Sequence, residues 1–434
     1  MDETPRFRYT KIMGIILWLS GKAKPFLIRI LPIQVLRAIK NRLVNKVMGD
    51  LSRQSDIVPF SRIARPDGIN LIGHAKTESG LGESFRLTAS CLELAKIPYT
   101  IYDYRAVGVI RHNDCLLDSK VTNTVPYNIN MFSMSAYELP LAYLKLGKEM
   151  WNSRYNIGFW AWELEKFPRE WDNSFLLVDE IWTPSEFASK SIRGATSKPV
   201  STMPHALKIP DCGSYGRKDF NLPCDKFLFL CMYDSTSTFE RKNPLGAMKA
   251  FKQAFSKDED NVGFVVKINY ADKRDVRTIN WEMAGYRNIY LITDTLDRTQ
   301  TNALIGCVDA YVSLHRSEGF GLVMAEAMLL GIPVIATNWS GNTEFMDSTT
   351  ACLVDYEFTV IKHDAGAYKA GNRWAEPSVT HAAEFMKKLH NDKMFRNELA
   401  QKAKAHTRHH LAPERVAAMM KNRIEEIYET MGSI

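Results

Sequence analysis

Glu318 and Glu326 are two carboxylates with seven residues between them, and Gly319 and Gly321 directly follow the first. Glycine lets the backbone approach a ligand closely and adopt positive φ. The helix-forming run LVMAEAMLL comes next, so free N–H groups at its start would favour an anion such as a diphosphate. An ionised carboxylate beside that anion would accept hydrogen bonds from sugar hydroxyls. The spacing therefore predicts a site for a phosphorylated, hydroxyl-rich ligand.

The elements around these residues form one strand–loop–helix–strand unit. An apolar run from Tyr311 predicts a buried strand, Gly331 ends the helix, and the apolar residues after Pro333 predict the next parallel strand. Ligands bind beyond the carboxyl ends of such strands. The glycine loop is therefore expected at the ligand-binding edge of a sheet, although each glutamate taken singly also fits a solvated helix surface.

The run from Glu318 to Glu326, with GIPVIAT and SGNTEF downstream, resembles the signature of the retaining glycosyltransferases of family four, which have the GT-B fold. The resemblance extends from about Ile69 to the C-terminus. It implies that Glu318 lies against the donor sugar and that Glu326 holds the ribose of a nucleotide. It also implies that backbone N–H groups contact the diphosphate from Gly319, Phe320, Gly321 and Leu322.

Two further glycine loops are expected to face the donor. Gly80-Leu81-Gly82 follows a predicted strand and opens a helix, and the resemblance places Gly80 and Gly82 against the donor phosphates. A dinucleotide fingerprint needs a third glycine where this chain has Phe85, which argues against a dehydrogenase. The resemblance also assigns donor contacts to Ser340, Gly341 and Asn342.

Three cations are placed to hold the diphosphate. Arg241 and Lys242 lie in a loop that opens a helix, and Lys267 ends the strand GFVVK. Cations at the carboxyl ends of neighbouring strands would stabilise a leaving nucleotide, although each is singly compatible with a surface charge. The family commonly has another basic residue where this chain has Tyr233-Asp234-Ser235, which places more weight on Lys242 and Lys267. We predict Glu318, Lys242 and Lys267 as catalytic and Arg241 as donor-binding.

The sequence WAWELE, after a predicted strand, indicates a contact with the acceptor or the sugar. Indole rings can stack on sugars while the indole N–H donates a hydrogen bond. Many family members have a histidine near this position that contacts the donor hexose, but no histidine occurs here between residues 113 and 204. Trp160, Trp162 and Glu163 are therefore the candidates, and a tryptophan-rich core edge is the alternative.

No metal or other cofactor is expected besides the nucleotide-sugar co-substrate. Asp258-Glu259-Asp260 matches the DxD motif of the other large glycosyltransferase fold, but it lies in a charged run that predicts a solvated loop. His409 and His410 are adjacent, so their side chains would diverge on a helix. Seven scattered cysteines without a CxxC pair argue against structural zinc and indicate a reducing compartment.

The net charge of +7 is concentrated in the first 50 residues, which hold ten Lys or Arg and three acidic residues. The balanced remainder argues against a nucleic-acid partner. Within residues 11–47, apolar residues alternate with cations, and the longest uncharged run is half of the ~20 residues that span a bilayer. This pattern predicts a helix on an anionic membrane surface. A helix packed on the protein, or a free arm, is the alternative.

A chain of 434 residues suits two domains. We predict an α/β protein of two Rossmann-like domains with a cleft between them. The predicted segments are an arm (1–60), an acceptor domain (61–208), a linker (209–224), a nucleotide-sugar domain (225–410) and a helix returning to the first domain (411–434).

The predicted function is that of a retaining hexosyltransferase, cytoplasmic and peripheral on the inner membrane face. It would act on a glycan or lipid-linked acceptor in cell-surface polysaccharide synthesis, for example of lipopolysaccharide. A nucleotide-sugar epimerase of the same fold and a catalytically silent scaffold of a polysaccharide-assembly complex are the alternatives. The nucleotide base, the sugar, the acceptor and the oligomeric state are left open.

Overall fold

The computed structural model describes residues 57–105, 111–209 and 213–431. The basic arm, and with it the prediction of a membrane-surface helix at 11–47, lies outside the described residues. None of the described helices is both long and apolar enough to cross a membrane.

The first domain is built on a parallel six-stranded sheet whose strand order is β2-β1-β3-β4-β5-β6. Its strands are β1 (Ile69–Gly73), β2 (Tyr99–Asp103), β3 (Ile129–Ser133), β4 (Tyr155–Phe159), β5 (Glu180–Thr183) and β6 (Val200–Thr202). The α-helices are α1 (Gly80–Leu94), α2 (Leu139–Leu146) and α3 (Glu186–Arg193). A 3₁₀ helix, Arg169–Leu177, lies between β4 and β5. The central strands are buried on both faces, as in parallel sheets covered by helices.

The second domain has another parallel six-stranded sheet, with the order β12-β11-β10-β7-β8-β9. This is the strand order of the Rossmann fold. Its strands are β7 (Phe227–Asp234), β8 (Val262–Asn269), β9 (Ile289–Ile292), β10 (Ala310–Ser313), β11 (Val334–Thr337) and β12 (Cys352–Val354). The helices are α4 (Phe239–Lys242), α5 (Pro244–Ala254), α6 (Lys273–Met283), α7 (Arg298–Gly306), α8 (Leu322–Leu330), α9 (Val379–Asn391) and α10 (Lys393–His410). The prediction of two Rossmann-like α/β domains is confirmed.

An antiparallel hairpin of β13 (Tyr356–Val360) and β14 (Arg373–Pro377) lies between β12 and α9. The sequence analysis did not predict it. Ile361, Tyr368 and Trp374, from the hairpin and its connecting segment, pack in the hydrophobic core of the first domain. The hairpin therefore joins the two domains.

The last helix, α11 (Pro413–Met431), packs against the first domain, where its buried apolar residues join the core beside α1. Arg423 forms two bonds with the buried carboxylate of Glu180, at 2.8 and 2.7 Å. The Tyr428 hydroxyl accepts from the amide of Gly68 at 3.0 Å and donates to Asn128 at 2.9 Å. These contacts anchor the C-terminal end of the described chain on the first domain.

Candidate functional site

Glu318 lies in the loop after β10, where two cations of α4 hold its side chain. Lys242 Nζ lies 2.5 Å from Oε1 of Glu318, and an Arg241 guanidinium nitrogen lies 3.1 Å from Oε2. The side chain of Glu318 is 11% exposed. The structure therefore brings together two residues predicted as catalytic, Glu318 and Lys242, with Arg241 behind them.

The ionisation of Glu318 is set by opposing effects. Burial acts to raise the pKa of its carboxyl, but Arg241 and Lys242 outweigh burial and lower that pKa to about 2. The side chain is therefore ionised at all physiological pH values. An ionised carboxylate only accepts hydrogen bonds, which suits sugar hydroxyls as partners.

Arg241 and Lys242 are adjacent in sequence but differ in their surroundings. Arg241 is buried and donates to the Ser317 carbonyl at 2.7 Å and to the Ser237 hydroxyl at 2.9 Å. The side chain of Lys242 is a quarter exposed. The burial of Arg241 argues against its predicted direct contact with the donor, because its guanidinium is committed to the loop around Glu318. Lys242 is the cation of this pair that can reach a bound anion.

Helix α8 begins at this point without a side-chain cap. Its N-cap residue, Gly321, has φ +98°, a conformation that glycine adopts without strain. The amides of Leu322 and Val323 have no hydrogen-bond acceptor within the ranges that the structure describes. Together with the helix dipole, these free donors favour an anion beside Glu318, and the predicted diphosphate contact stays a prediction.

Glu326 is fully buried in α8, and Arg298 at the start of α7 hydrogen-bonds its Oε1. Among the described residues, Oε2 has no partner. Burial raises the pKa of the Glu326 carboxyl, against the opposing effect of Arg298. Arg298 also lies 3.5 Å from Glu83 of the first domain. The free carboxylate oxygen fits the predicted contact with ribose hydroxyls.

Arg298 was not among the residues predicted from the sequence. It is the first residue of α7, where a cation opposes the helix dipole. That unfavourable position was the one signal in the sequence that Arg298 has a carboxylate partner. The neighbouring carboxylates, Glu326 and Glu83, offset that cost. Arg298 links the predicted ribose contact to the first domain.

The second glycine loop supports Glu318 from behind. The Ser340 hydroxyl accepts from the Glu318 amide at 2.8 Å, and the Gly341 amide donates to the Glu318 carbonyl at 2.9 Å. The side chain of Asn342 is fully buried between the Thr337 carbonyl and His315, each at 3.0 Å. The Asn342 side chain is thus occupied within the protein, which argues against its use for the donor, and the predicted donor contact of Asn342 stays a prediction.

Gly341→Ala is expected to lower the free energy of unfolding by about 1–3 kcal/mol, as overpacking does. A Cβ at this position would lie 2.3 Å from the Gly319 carbonyl oxygen, so one of the two glycine loops would have to move. Chemical denaturation measures the loss. Gly216→Ala is the matched control, because its Cβ would meet no atom within 4 Å. Equal stability of the two variants would contradict the close packing of the loops.

The glycine loop predicted at Gly80 to Gly82 forms the first turn of α1, and its two glycines differ. A Cβ on Gly82 would lie 1.9 Å from the Thr77 carbonyl oxygen, whereas Gly80 has open space around it. The Ser79 hydroxyl caps α1, and the Glu78 carbonyl accepts from Tyr270 of the second domain at 2.9 Å. Gly82 is thus explained by local packing, and the donor contact of this loop stays a prediction.

Lys267 is fully buried at the end of β8. Its ammonium donates to the Ile268 carbonyl at 3.0 Å and to the Asn269 side chain at 2.7 Å. Burial lowers its pKa to about 8, against the opposing charges of Asp294 and Asp234. Neither of its hydrogen bonds involves Glu318, so the catalytic role of Lys267 stays a prediction without geometric support.

Trp160 and Trp162 do not form the expected sugar-stacking surface. Trp160 is completely buried and Trp162 is 2% exposed, with its ring stacked on Tyr368 at 5.6 Å. The alternative, a tryptophan-rich core edge, describes both residues. Glu163 is half-buried, and its carbonyl accepts from the Ser317 hydroxyl across the domain boundary. Glu163 is the residue of this group that remains a candidate for a sugar or acceptor contact.

Potential metal ligands do not converge in the described ranges, which contain no group of three or more His, Cys, Asp or Glu side chains able to hold an ion. Asp258, Glu259 and Asp260 lie between α5 and β8, outside both elements. His409 and His410 are the last residues of α10.

A family comparison covers the second domain. Residues 234–412 match the profile described as "Family 4 Glycosyltransferase in conflict systems". This span contains Lys242, Glu318 and Glu326. No curated protein sequence matches the chain.

Solved structures resemble both domains. Sucrose-phosphate synthase from Thermosynechococcus elongatus aligns over 84% of this chain and 100% of its own, with a TM-score of 0.61 and 13% identity. A glycosyltransferase from Rickettsia africae aligns over 83% of this chain and 98% of its own, with a TM-score of 0.60 and 12% identity. Anabaena HepE, crystallised with UDP and glucose, aligns over 85% of this chain and 100% of its own, with a TM-score of 0.57 and 13% identity. At such low identity these likenesses show the fold, and the GT-B prediction is confirmed.

Proposed function

The chain has the GT-B fold and a second domain of the family-four glycosyltransferase type, as the sequence resemblance predicts, and on that premise we propose that it is a retaining hexosyltransferase. Its donor would be a nucleotide-diphosphate sugar and its acceptor a glycan or lipid-linked sugar. The observation that carries the proposal is the ionised Glu318, held by Lys242 and Arg241 directly before an uncapped helix N-terminus.

The diphosphate would bind between Lys242 and the start of α8. Lys242 is paired with Glu318 and partly exposed, so its ammonium can turn towards an entering phosphate. The free amides of Leu322 and Val323 would donate to phosphate oxygens. Both groups are in place before the reaction, so they would stabilise the negative charge that develops on the leaving nucleotide.

The sugars on either side of the diphosphate would be held by the two carboxylates. Glu318 would accept from hexose hydroxyls, and the unpaired oxygen of Glu326 would accept from the ribose. In a retaining reaction on one face of the hexose, the acceptor oxygen bonds to the anomeric carbon as the bond to the diphosphate breaks. The departing phosphate can take the acceptor proton, so the protein need not supply a separate base.

Two other functions are the alternatives to transfer. An epimerase would alter the sugar without transferring it to an added acceptor. A silent scaffold would have no reason to keep an ionised Glu318, a partly exposed Lys242 and a buried, unpaired oxygen on Glu326. These features support an enzyme.

Thermal unfolding with UDP, GDP, ADP and CMP, followed by the matching nucleotide sugars, tests the donor site. A ligand at 100 times its dissociation constant stabilises the folded state by about 2.7 kcal/mol. We expect one nucleoside diphosphate to stabilise the protein selectively, and Glu326→Gln to weaken that effect. A flat response from well-folded protein would overturn the donor site and favour the scaffold.

We also propose that the basic arm holds the protein on the inner face of the cytoplasmic membrane, near a lipid-linked acceptor. Deleting residues 1–50 is expected to move the protein from the membrane fraction to the soluble fraction, because each cation near an anionic surface contributes about 1 kcal/mol. An arm with its ten Lys and Arg changed to Gln is the matched control for charge. Unchanged fractionation of the deletion variant would refute the proposal.

A further inference from the structure

The segment between β13 and β14, residues 361–372, crosses from the second domain to the first, and we call it the strap. Its Tyr368 is 6% exposed and stacks on Trp162, with ring centroids 5.6 Å apart and planes 26° from parallel. Such stacking adds to the stabilisation from buried area. The strap thus covers the indole face that was expected to bind sugar.

A second contact ties the hairpin to the same loop of the first domain. Arg373, at the start of β14, forms two parallel bonds with the Glu165 carboxylate, at 2.6 and 2.9 Å. A two-pronged pair of this kind fixes orientation as well as distance. Trp162 and Glu165 flank Glu163, so both ends of the segment 162–165 are attached to the hairpin.

The other side of the hairpin holds the loop that carries Glu318. Arg316, two residues before Glu318, binds the Glu376 carboxylate of β14 at 2.6 and 3.0 Å. The Arg316 carbonyl accepts from the amide of Ala375 at 3.0 Å. The hairpin therefore contacts the Glu318 loop and the Glu163 loop at once.

Tyr368 is also close to Arg241 of α4 through its ring and to Glu163 through its hydroxyl. The Arg241 guanidinium carbon is 5.5 Å from the centre of the Tyr368 ring. Burial raises the pKa of the Tyr368 phenol; Arg241 opposes that rise, and the hydrogen-bonded Glu163 carboxylate adds to it. Arg241 is therefore close to both Glu318 and the Tyr368 ring, and the Glu163 carboxylate helps to raise its pKa.

We propose that Tyr368 and Arg373 are positioning residues that hold Glu163 of the first domain against the Glu318 site, where its carboxylate orients a sugar or acceptor hydroxyl during transfer. This inference rests on the proposed function. It assigns the hairpin a role in the transfer step itself, separate from binding of the nucleotide.

Charge reversal across the hairpin contact tests the proposal. Arg373→Glu and Glu165→Arg are each expected to lower kcat about three- to tenfold, and the double variant is expected to recover to within about twofold. KM for the donor and the stabilisation by nucleoside diphosphate should stay unchanged, because neither residue contacts the donor site. Lys369→Ala is the matched control, since it removes an ion pair with Asp364 that stays within the strap.

Tyr368 gives an independent test. Tyr368→Phe keeps the stacking on Trp162 and is expected to lower kcat about twofold to threefold, whereas Tyr368→Ala should lower it about tenfold. Equal kcat values for wild type, Tyr368→Ala and the two charge reversals would overturn the positioning role. A fall in nucleotide binding that matches the fall in kcat would overturn it as well, because the effect would then lie in the donor site.

Hydrogen exchange of residues 160–165 separates this inference from the proposed function. We expect faster exchange in Arg373→Glu and recovery in the double variant, with or without substrate. Unchanged exchange would overturn the contact between hairpin and loop even in an active enzyme. If the wild type transfers no sugar from any donor, the proposed function fails and the transfer role fails with it, while exchange still decides whether the hairpin holds the loop.

Discussion

Glu318→Gln is expected to lower kcat by about 10²–10³-fold, the loss typical of removing one charge-stabilising group from an active site. Glutamine keeps the size of the side chain and one acceptor oxygen but removes the negative charge that faces the sugar. Alanine is a less clean choice, because it removes both acceptor oxygens and the side-chain volume together with the charge. Steady-state kinetics with the donor found by the nucleotide panel measure the effect.

The exposed Glu357 provides the control for Glu318→Gln. The same substitution there, on the same domain, should leave kcat unchanged. Near-normal turnover by folded Glu318→Gln would contradict the assignment of the site.

The same residue predicts a pH dependence of stability. The pKa of Glu318 is lowered from 4.5 to about 2 in the folded protein, so its stabilising contribution is complete above its unfolded pKa. It is lost as the pH falls from about 4.5 towards 2, and the shift corresponds to about 3 kcal/mol. Unfolding free energies of wild type and Glu318→Gln should therefore converge as the pH falls through this window. A difference that does not change with pH would contradict the ion pairs with Lys242 and Arg241.

Lys242→Met is expected to have the second-largest effect, lowering kcat/KM by about 10²-fold. The reason is that Lys242 is the partly exposed cation beside the anion site at α8. Loss of the Lys242 ammonium should weaken the binding of a nucleoside diphosphate and leave the binding of the bare nucleoside unchanged. Calorimetric titration with both ligands measures the two affinities.

Lys267→Met is the comparison for Lys242→Met. Lys267 is buried and bonded within its own strand end, so its removal should affect stability more than turnover. A larger loss of kcat/KM in Lys267→Met than in Lys242→Met would show that the diphosphate is held by Lys267.

Local sequence patterns predicted the frame of the site. The helix-forming run that ends at Gly331 became α8, and the strand–loop–helix–strand unit around Glu318 has the expected order. The meeting of Lys242 and Glu318, which are 76 residues apart, did not follow from periodicity. The prediction that both residues lie at the donor site came from the family resemblance and from the rule that ligands bind beyond the carboxyl ends of parallel strands.

Contacts made by distant segments could not be predicted. Nothing near Trp162 in the sequence indicates that Tyr368 will cover its ring, so an indole at a strand end looked available for a sugar. The family resemblance assigned Asn342 to the donor, and local sequence gave no sign that its side chain is held by His315 and the Thr337 carbonyl, which come from two other strand ends. In each case tertiary packing occupies a polar or aromatic group that the sequence leaves open.

The anomeric configuration of the transferred sugar tests the central proposal most directly. Proton NMR of a reaction containing the selected nucleotide sugar and an acceptor follows the anomeric signal from donor to product. The proposed mechanism predicts release of nucleoside diphosphate together with a product of the same anomeric configuration as the donor. A product of inverted configuration, or an epimerised nucleotide sugar without transfer, would contradict it.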